Sequence, residues 1–181
     1  MYDRVLTSEQ TLQHEIQSRL LKFNETNQRL IVIMCFGAWY IPNNFDRFHN
    51  DVTRFVNYWN KVQPVNSALI WRDVLPQHFK NKDETGVYDP SLHTETVIGG
   101  PYNCHKSKTL CAQKLFLKPT RDVVSSANKI YSLPVFDWAQ SMHYGHNIRS
   151  GDCTHYCIPI MAAWNTLLLK LTFLTDNQIK K

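Results

Sequence analysis

The densest group of chemically capable side chains lies near the carboxyl end of the chain, in the run Gly151-Asp-Cys-Thr-His-Tyr-Cys157. Asp152 and His155 are three residues apart there, in a predicted loop, so their side chains can converge. A carboxylate in this position holds an imidazole in one tautomer, and the other ring nitrogen is then able to act as a general base. The alternative is a surface loop stapled by two cysteines, in which His155 only packs.

Cysteines and histidines in the loops allow a second kind of chemistry. A zinc site could draw on Cys104, His105, Cys111, His143, His146, Cys153, His155 and Cys157, although no C-x-x-C pair is present. Four of the five cysteines lie in polar sequence, which favours disulfides and an oxidising compartment. Cys35 lies in an apolar run and is predicted to be a buried free thiol.

Hydrophobic periodicity predicts the elements that must position these residues. Helices are predicted over 8–25, from Phe45 to Val62, from Thr120 to about Tyr131, and from Pro159 through Leu174. Strands are predicted at Leu30–Phe36, as a fully buried strand, and at Ala68–Trp71 and Leu133–Phe136. The segments 73–118 and 138–157 carry little periodicity and are predicted to be a long loop insertion and a second polar loop.

Strands that alternate with helices predict a parallel sheet covered on both faces. Ligands of such sheets bind at the carboxyl ends of the strands, from which the loops 37–44, 72–80 and 137–157 depart. The 181 residues suit one domain, 1–181, and the apolar fraction of 43% excludes disorder across the chain. The sequence therefore predicts that Asp152 and His155 lie at this edge of a single α/β domain.

Three stretches of the chain resemble one known family. The run from Asp152 to Pro159, followed by Trp164-Asn165, resembles the carboxyl-terminal signature D-C-[ST]-H-[WY]-C-x-P of the PC-esterase family. These proteins are SGNH/GDSL-like acyl esterases and polysaccharide O-acetyltransferases, and include the trichome-birefringence-like proteins. Leu30–Tyr40 resembles the family's strand ending in N-x-G-x-W. Leu69–Phe79, with Gly99-Gly100 and Cys104 after it, resembles the R-x-x-x-P-x-H-F and G-G-x-C segments.

The resemblance covers residues 28–172 and implies a three-layer α/β/α, SGNH-hydrolase-like parallel sheet. It implies carbohydrate O-acyl esterase or O-acetyltransferase chemistry through a Ser-His-Asp triad and a covalent acyl-serine, without a cofactor or a metal. His155 would be the general base and Asp152 the residue that orients it. Substrate-binding roles fall to Trp39, Arg72, His78 and His146. For Arg72 and His78 a role as polar loop anchors is the alternative.

The resemblance also pairs Cys104 with Cys153 in a disulfide that would pin the long loop over the site. Cys157 is expected either to pair with Cys111 or to stay unpaired.

The sequence departs from the family in the block that carries the nucleophile. No Gly-Asp-Ser occurs in it, and Cys35 stands where the family has an asparagine that helps to bind the oxyanion. Ser8, near the amino end, lies in a predicted helix cap. The chain is therefore interpreted as an amino-terminally truncated domain that retains the Asp/His part of the triad. The alternative is a non-catalytic remnant or a carbohydrate-binding relative that keeps the fold and the pocket.

The net charge and the hydropathy of the sequence limit the kinds of partner that the protein is expected to bind. The net charge is +5, but the basic residues are scattered and do not alternate with aromatic ones, so nucleic acid is not an expected partner. The longest apolar run, Leu30–Ala38, is far shorter than the roughly 20 residues of a membrane span. A carbohydrate or acyl-ester substrate is the expected partner. No signal peptide follows Met1, so a location in the secretory pathway, the Golgi lumen or outside the cell would need an upstream signal or anchor.

Overall fold

A computed structural model describes residues 14, 17–20, 30–37, 44–79, 82, 84–88, 104–105, 114–146 and 152–179, with side chains up to Leu174. The strands are β1 (Leu30–Met34), β2 (Ser67–Arg72) and β3 (Ile130–Leu133). The helices are α1 (Phe45–Val62), α2 (Lys114–Ser125), α3 (Phe136–Ala139), a 3-10 turn at His143–Gly145, and α4 (Ile158–Ile179). The predicted helix over 8–25 lies mostly outside the described residues.

The sheet is parallel, as predicted, with the strand order β1-β2-β3. Leu30 of β1 aligns with Ser67 of β2, and Leu69 of β2 aligns with Ile130 of β3. Five of the six residues of β2 are buried, as a central strand covered on both faces requires. The three strands therefore end at one edge, where the loops of interest begin.

Alternate residues of β2 face two separate apolar layers, because side chains alternate across a strand. Leu69 and Trp71 pack into a cluster with α1 and α2, in which the Phe48 and Phe116 rings lie 4.6 Å apart. Ile70 packs on the opposite face with Trp164 of α4. The helices thus cover both faces of the sheet, as the alternating pattern predicted.

The predicted helix from Thr120 to Tyr131 was placed too late in the chain. Helix α2 instead spans Lys114–Ser125 and contains Pro119. The Thr120 hydroxyl does not cap the helix but donates to the Phe116 carbonyl, 2.6 Å away. Burial of Phe116 and Leu117 outweighs the cost of an internal proline. The irregular segment therefore ends before Lys114 and not at 118.

The third strand was also displaced in the prediction. It runs from Ile130 to Leu133, not from Leu133 to Phe136. Pro134 has no N–H to donate to a sheet and follows the strand directly. Phe136 begins the short helix α3 and packs with Val74 and Leu117.

Strand β1 differs from its prediction in burial. The sequence predicts a fully buried strand over Leu30–Phe36, whereas β1 ends at Met34 and Ile33 is 49% exposed. The reason is that, within the described residues, β1 pairs with β2 alone and forms an edge of the sheet. In contrast, α1 matches its predicted span, and α4 begins one residue before Pro159.

Of the helices in the described ranges, none has both the length and the apolar character needed to cross a bilayer.

Candidate functional site

A cavity of about 360 Å³ opens at the carboxyl edge of the sheet. Each strand contributes a residue at or just after its end, namely Cys35, Arg72 and Leu133. The loop after His146 and the first turns of α4 complete the wall, with Thr154, His155, Tyr156, Met161, Trp164, Asn165 and Leu168. The volume is within the range of small-molecule sites, and the mostly apolar wall with a few polar groups is typical of them.

Asp152 and His155 lie together at this cavity. The Nδ1 atom of His155 is 2.5 Å from Oδ2 of Asp152, and His155 is among the residues that line the cavity. Asp152 is half-buried, whereas the His155 side chain is 78% exposed. With Nδ1 directed at the carboxylate, Nε2 is the ring nitrogen that can accept a proton from a bound reactant. We call this pair the Asp152–His155 dyad.

The Asp152 carboxylate is held in its charged form. Burial acts to raise the pKa of Asp152, but hydrogen bonds outweigh it, and the pKa lies below its usual value. The backbone N–H groups of Thr154 and His155 donate to Oδ1 at 2.8 and 3.0 Å. The carboxylate therefore both folds its own loop, as an Asx turn, and orients the imidazole.

The disulfide implied by the family resemblance is present. Cys104 and Cys153 are bonded, with their Cα atoms 5.5 Å apart. The bond joins the loop that carries the dyad to the segment next to His105, whose backbone N–H donates to the His78 carbonyl at 2.8 Å. Among the described residues, Cys35 and Cys157 have free thiols. Cys111, the other candidate partner of Cys157, lies outside the described residues.

The four expected substrate-binding residues have different positions. Arg72 lines the cavity. His78 and His146 do not: their side chains are 0% and 2% exposed and lie behind the cavity wall. They are in contact with each other, since His78 Nδ1 and His146 Nε2 are 2.6 Å apart. The physical reason is that both residues pack against the loop that carries the dyad, where the His146 ring contacts the His155 carbonyl and the His78 backbone N–H donates to the Cys153 carbonyl. Trp39 lies outside the described residues.

Tyr156 and Trp164 support the dyad loop from the side of α4. Their rings lie 4.9 Å apart, and the Tyr156 ring lies 4.1 Å from that of His146. The Tyr156 hydroxyl is buried within hydrogen-bonding distance of the Pro76 and Ala139 carbonyls, at 3.2 and 3.3 Å. Tyr156 is therefore both a packing contact and a polar anchor of the dyad loop.

Two residues of the cavity wall, Gln77 and Cys35, were not predicted from the sequence to line it. Gln77 lines the cavity and its side-chain amide donates to the Thr154 hydroxyl at 3.4 Å. Cys35, which the sequence predicts to be a buried free thiol and which the family resemblance places at the position of an oxyanion asparagine, also lines the cavity. Burial raises the pKa of Cys35, an effect that Arg72 opposes, so the thiol stays protonated near neutral pH. The end of an apolar run at Gly37 was the signal for Cys35, because such run ends reach the carboxyl edge of a parallel sheet.

The zinc alternative depends on cysteines and histidines of the same loops. In the part of the chain that the structure describes, no three His, Cys, Asp or Glu side chains are grouped so that they could hold a metal ion. Two of the thiols that it would use, Cys104 and Cys153, form the disulfide.

The sequence matches no protein-family model, and neither the curated proteins nor the solved structures contain a chain that matches it.

Proposed function

We propose that this chain carries the acid/base part of an acyl-ester site that acts on an O-acylated carbohydrate. The observation that carries the proposal is the Asp152–His155 hydrogen bond of 2.5 Å at the mouth of a cavity at the carboxyl edge of a parallel sheet. His155 is the general base and Asp152 fixes its tautomer. The proposed fold is the SGNH-hydrolase-like α/β/α sandwich, supported by a three-stranded parallel sheet with helices on both faces.

The cavity has separate features for the two parts of such a substrate. Leu75, Leu133 and Met161 provide an apolar wall for an acyl group. Arg72, Gln77 and Asn165 provide hydrogen-bonding groups for sugar hydroxyls. Trp39, outside the described residues, stays a proposed substrate contact on the basis of the family resemblance alone.

The nucleophile of the proposed triad is a serine supplied from outside the described residues. The cavity wall includes a thiol at Cys35 and a hydroxyl at Thr154, but no serine is among the described residues that line it. No Gly-Asp-Ser occurs in the 181 residues. Cys35 also replaces an amide donor of the family's oxyanion site with a thiol, which is a weak donor. The chain alone is therefore expected to have little or no esterase activity.

A gain-of-function experiment tests the proposal. The chain is extended at its amino end with a strand that carries Gly-Asp-Ser, and acetate release from an O-acetylated oligosaccharide is measured. The extended protein should release acetate, its His155→Ala variant should not, and the 181-residue chain should stay near background. Efficient hydrolysis by the 181-residue chain that stops when one of its own serines is mutated would refute this assignment.

Because no serine is among the described residues of the wall, a second candidate is a carbohydrate-binding domain that keeps the cavity without turnover. The two candidates differ in one result: the binding domain binds the oligosaccharide but stays inactive after the Gly-Asp-Ser extension.

The disulfide supports a proposed location. Disulfides persist in the secretory pathway and outside the cell and are rare in the cytosol. The Cys104–Cys153 bond therefore favours the Golgi lumen or the extracellular space.

A further inference from the structure

Two buried histidines form a hydrogen-bonded chain behind the dyad. His78 and His146 are 68 residues apart in sequence, and their ring nitrogens Nδ1 and Nε2 lie 2.6 Å apart. The outer nitrogens both face backbone carbonyls. His146 Nδ1 is 2.9 Å from the His155 oxygen, and His78 Nε2 is 3.0 Å from the Gln140 oxygen.

The hydrogen-bond partners of the two rings determine how many ring protons the contacts require. A carbonyl oxygen only accepts hydrogen bonds, so each outer contact requires a ring N–H. The contact between the two rings requires a third ring N–H. Two neutral imidazoles carry two ring protons in total, so one of the three contacts lacks a proton unless the pair takes up a charge.

Burial keeps the pair uncharged near neutral pH. It lowers the pKa of His78 to about 4 and also lowers that of His146, and a charge on His143 would act in the same direction on both rings. The hydrogen bonds to the Gln140 and His155 carbonyls oppose this effect, as does the Asp152 carboxylate for His146. A charge on the His155 ring would lower the pKa of His146 further. The Tyr156 hydroxyl, 3.4 Å from His78 Nδ1, is the other titratable group that faces the pair.

Four arrangements of two protons are possible, and one fits best. Protons on both inner nitrogens, His78 Nδ1 and His146 Nε2, would set two N–H groups against each other at 2.6 Å. Protons on His78 Nε2 and His146 Nδ1 would leave two lone pairs facing each other at 2.6 Å, which is repulsive. Protons on His78 Nε2 and His146 Nε2 would leave a lone pair of His146 against the His155 carbonyl. Protons on both Nδ1 atoms keep the two shortest contacts, at 2.6 and 2.9 Å, and give up the longest. The Tyr156 hydroxyl donates to a backbone carbonyl, so its oxygen can accept from His78 Nδ1, 3.4 Å away.

We infer that His78 and His146 are positioning residues: as neutral rings with Nδ1–H they donate in series, from His78 to His146 and from His146 to the His155 carbonyl, and so fix the backbone of the general base. A second contact has the same effect on this loop, since the His78 backbone N–H donates to the Cys153 carbonyl at 3.0 Å. The catalytic consequence rests on the proposed function, whereas the arrangement of the protons does not.

The ring tautomers are measured directly by NMR on the full chain labelled with ¹⁵N-histidine. At pH 7, the His78 and His146 rings should both show the pattern of a neutral ring protonated at Nδ1. A protonated Nε2 on either ring at that pH, in a neutral or a charged ring, would overturn the inference.

Two matched variants test the positioning role. His146→Asn keeps an amide donor near the position of Nδ1, whereas His146→Gln places its amide near Nε2. The readout is the backbone amide resonances of Thr154 and His155, which report their hydrogen bonds to Asp152. Those resonances should keep their wild-type positions in His146→Asn and shift in His146→Gln. Equal shifts in the two variants would contradict the role, and if neither variant folds, the tautomers in the wild-type chain still decide. Neither readout measures turnover, so a failure of the proposed esterase activity is a separate result.

Discussion

Cys153 lies between the two members of the Asp152–His155 dyad, and its disulfide to Cys104 fastens their loop to a segment 49 residues earlier in the chain. The same loop is held by the Cys153 carbonyl, which accepts from the His78 backbone N–H. A mostly exposed imidazole is thus carried on a backbone that is fixed at several points.

Loss of this disulfide should destabilise the protein markedly. A bridge that closes a loop of this length restricts the unfolded chain, by an amount worth about 4 kcal/mol. The variant with Cys104→Ser and Cys153→Ser should therefore melt about 10 °C lower. Cys157→Ser, which removes a free thiol, is the matched control and should leave the melting temperature nearly unchanged. Equal melting temperatures for the double variant and the wild type would show that the bond does not constrain the fold.

Arg121 should be required for the stability of the loop after β2. The Asp73 carboxylate is buried, at 1% exposure, and Oδ2 lies 2.6 Å from Nη2 of Arg121. Arg121→Met would leave this buried carboxylate without its charged partner, which costs about 2–3 kcal/mol because the Arg121 side chain is itself 36% exposed. Denaturant unfolding measures the loss. The control is Lys118→Met, which breaks an exposed pair with Asp122 and should change stability by less than about 1 kcal/mol. Similar effects of the two variants would contradict the structural role of Arg121.

Stability should fall as the pH is lowered from 6.5 toward 4. The pKa of His78 is lowered from 6.5 to about 4 in the folded protein, so in this range the unfolded chain binds the proton and the folded chain does not. The slope for one such group is at most about 1.4 kcal/mol per pH unit. His146 acts in the same direction.

Urea unfolding between pH 7 and pH 5 checks this dependence, above the range in which ordinary carboxylates titrate. The slope should be smaller in His78→Gln, which cannot titrate. A free energy of unfolding that is constant or rises as the pH falls through this range would contradict the burial of a neutral His78.

Asp152→Asn should reverse the tautomer of His155 without unfolding the loop. The asparagine oxygen can still accept from the backbone of Thr154 and His155, but its amide nitrogen would face His155 Nδ1 and donate to it. The ring proton then moves to Nε2, which no longer acts as a base, and a loss of about 10⁴-fold in any turnover that depends on it is expected. ¹⁵N spectra of the His155 ring report the change. An unchanged ring tautomer would show that Asp152 does not orient His155; Asp137→Asn is the exposed control.

Helix α1 and the parallel sheet could be predicted because their apolar patterns are continuous and lack internal proline. Helix α2 could not be placed correctly, since Pro119 has a local preference for the first turn while Phe116 and Phe48 pack together across the fold. The prediction of a helix from Thr120 to about Tyr131 was therefore correct only as far as Ser125, where α2 ends.

The dyad could be predicted from the spacing together with the place of the loop and the family resemblance, and an Asx turn at Asp152 brings residue 155 to its carboxylate. The contact between His78 and His146 could not, since it depends on how two distant loops pack. The exposure of Ile33 was likewise not foreseeable from an apolar run that predicts burial.

The central claim is that the cavity beside His155 binds an O-acylated carbohydrate, and an NMR titration of the chain as it stands tests it most directly. O-acetylated oligosaccharides and their de-acetylated counterparts are added separately to ¹⁵N-labelled protein. The account predicts that the acetylated sugar shifts the amides of Arg72, Thr154, His155 and Asn165, which line the cavity, and that the de-acetylated sugar does so more weakly. No shift at these residues with either sugar, or shifts confined to a different surface, would contradict it.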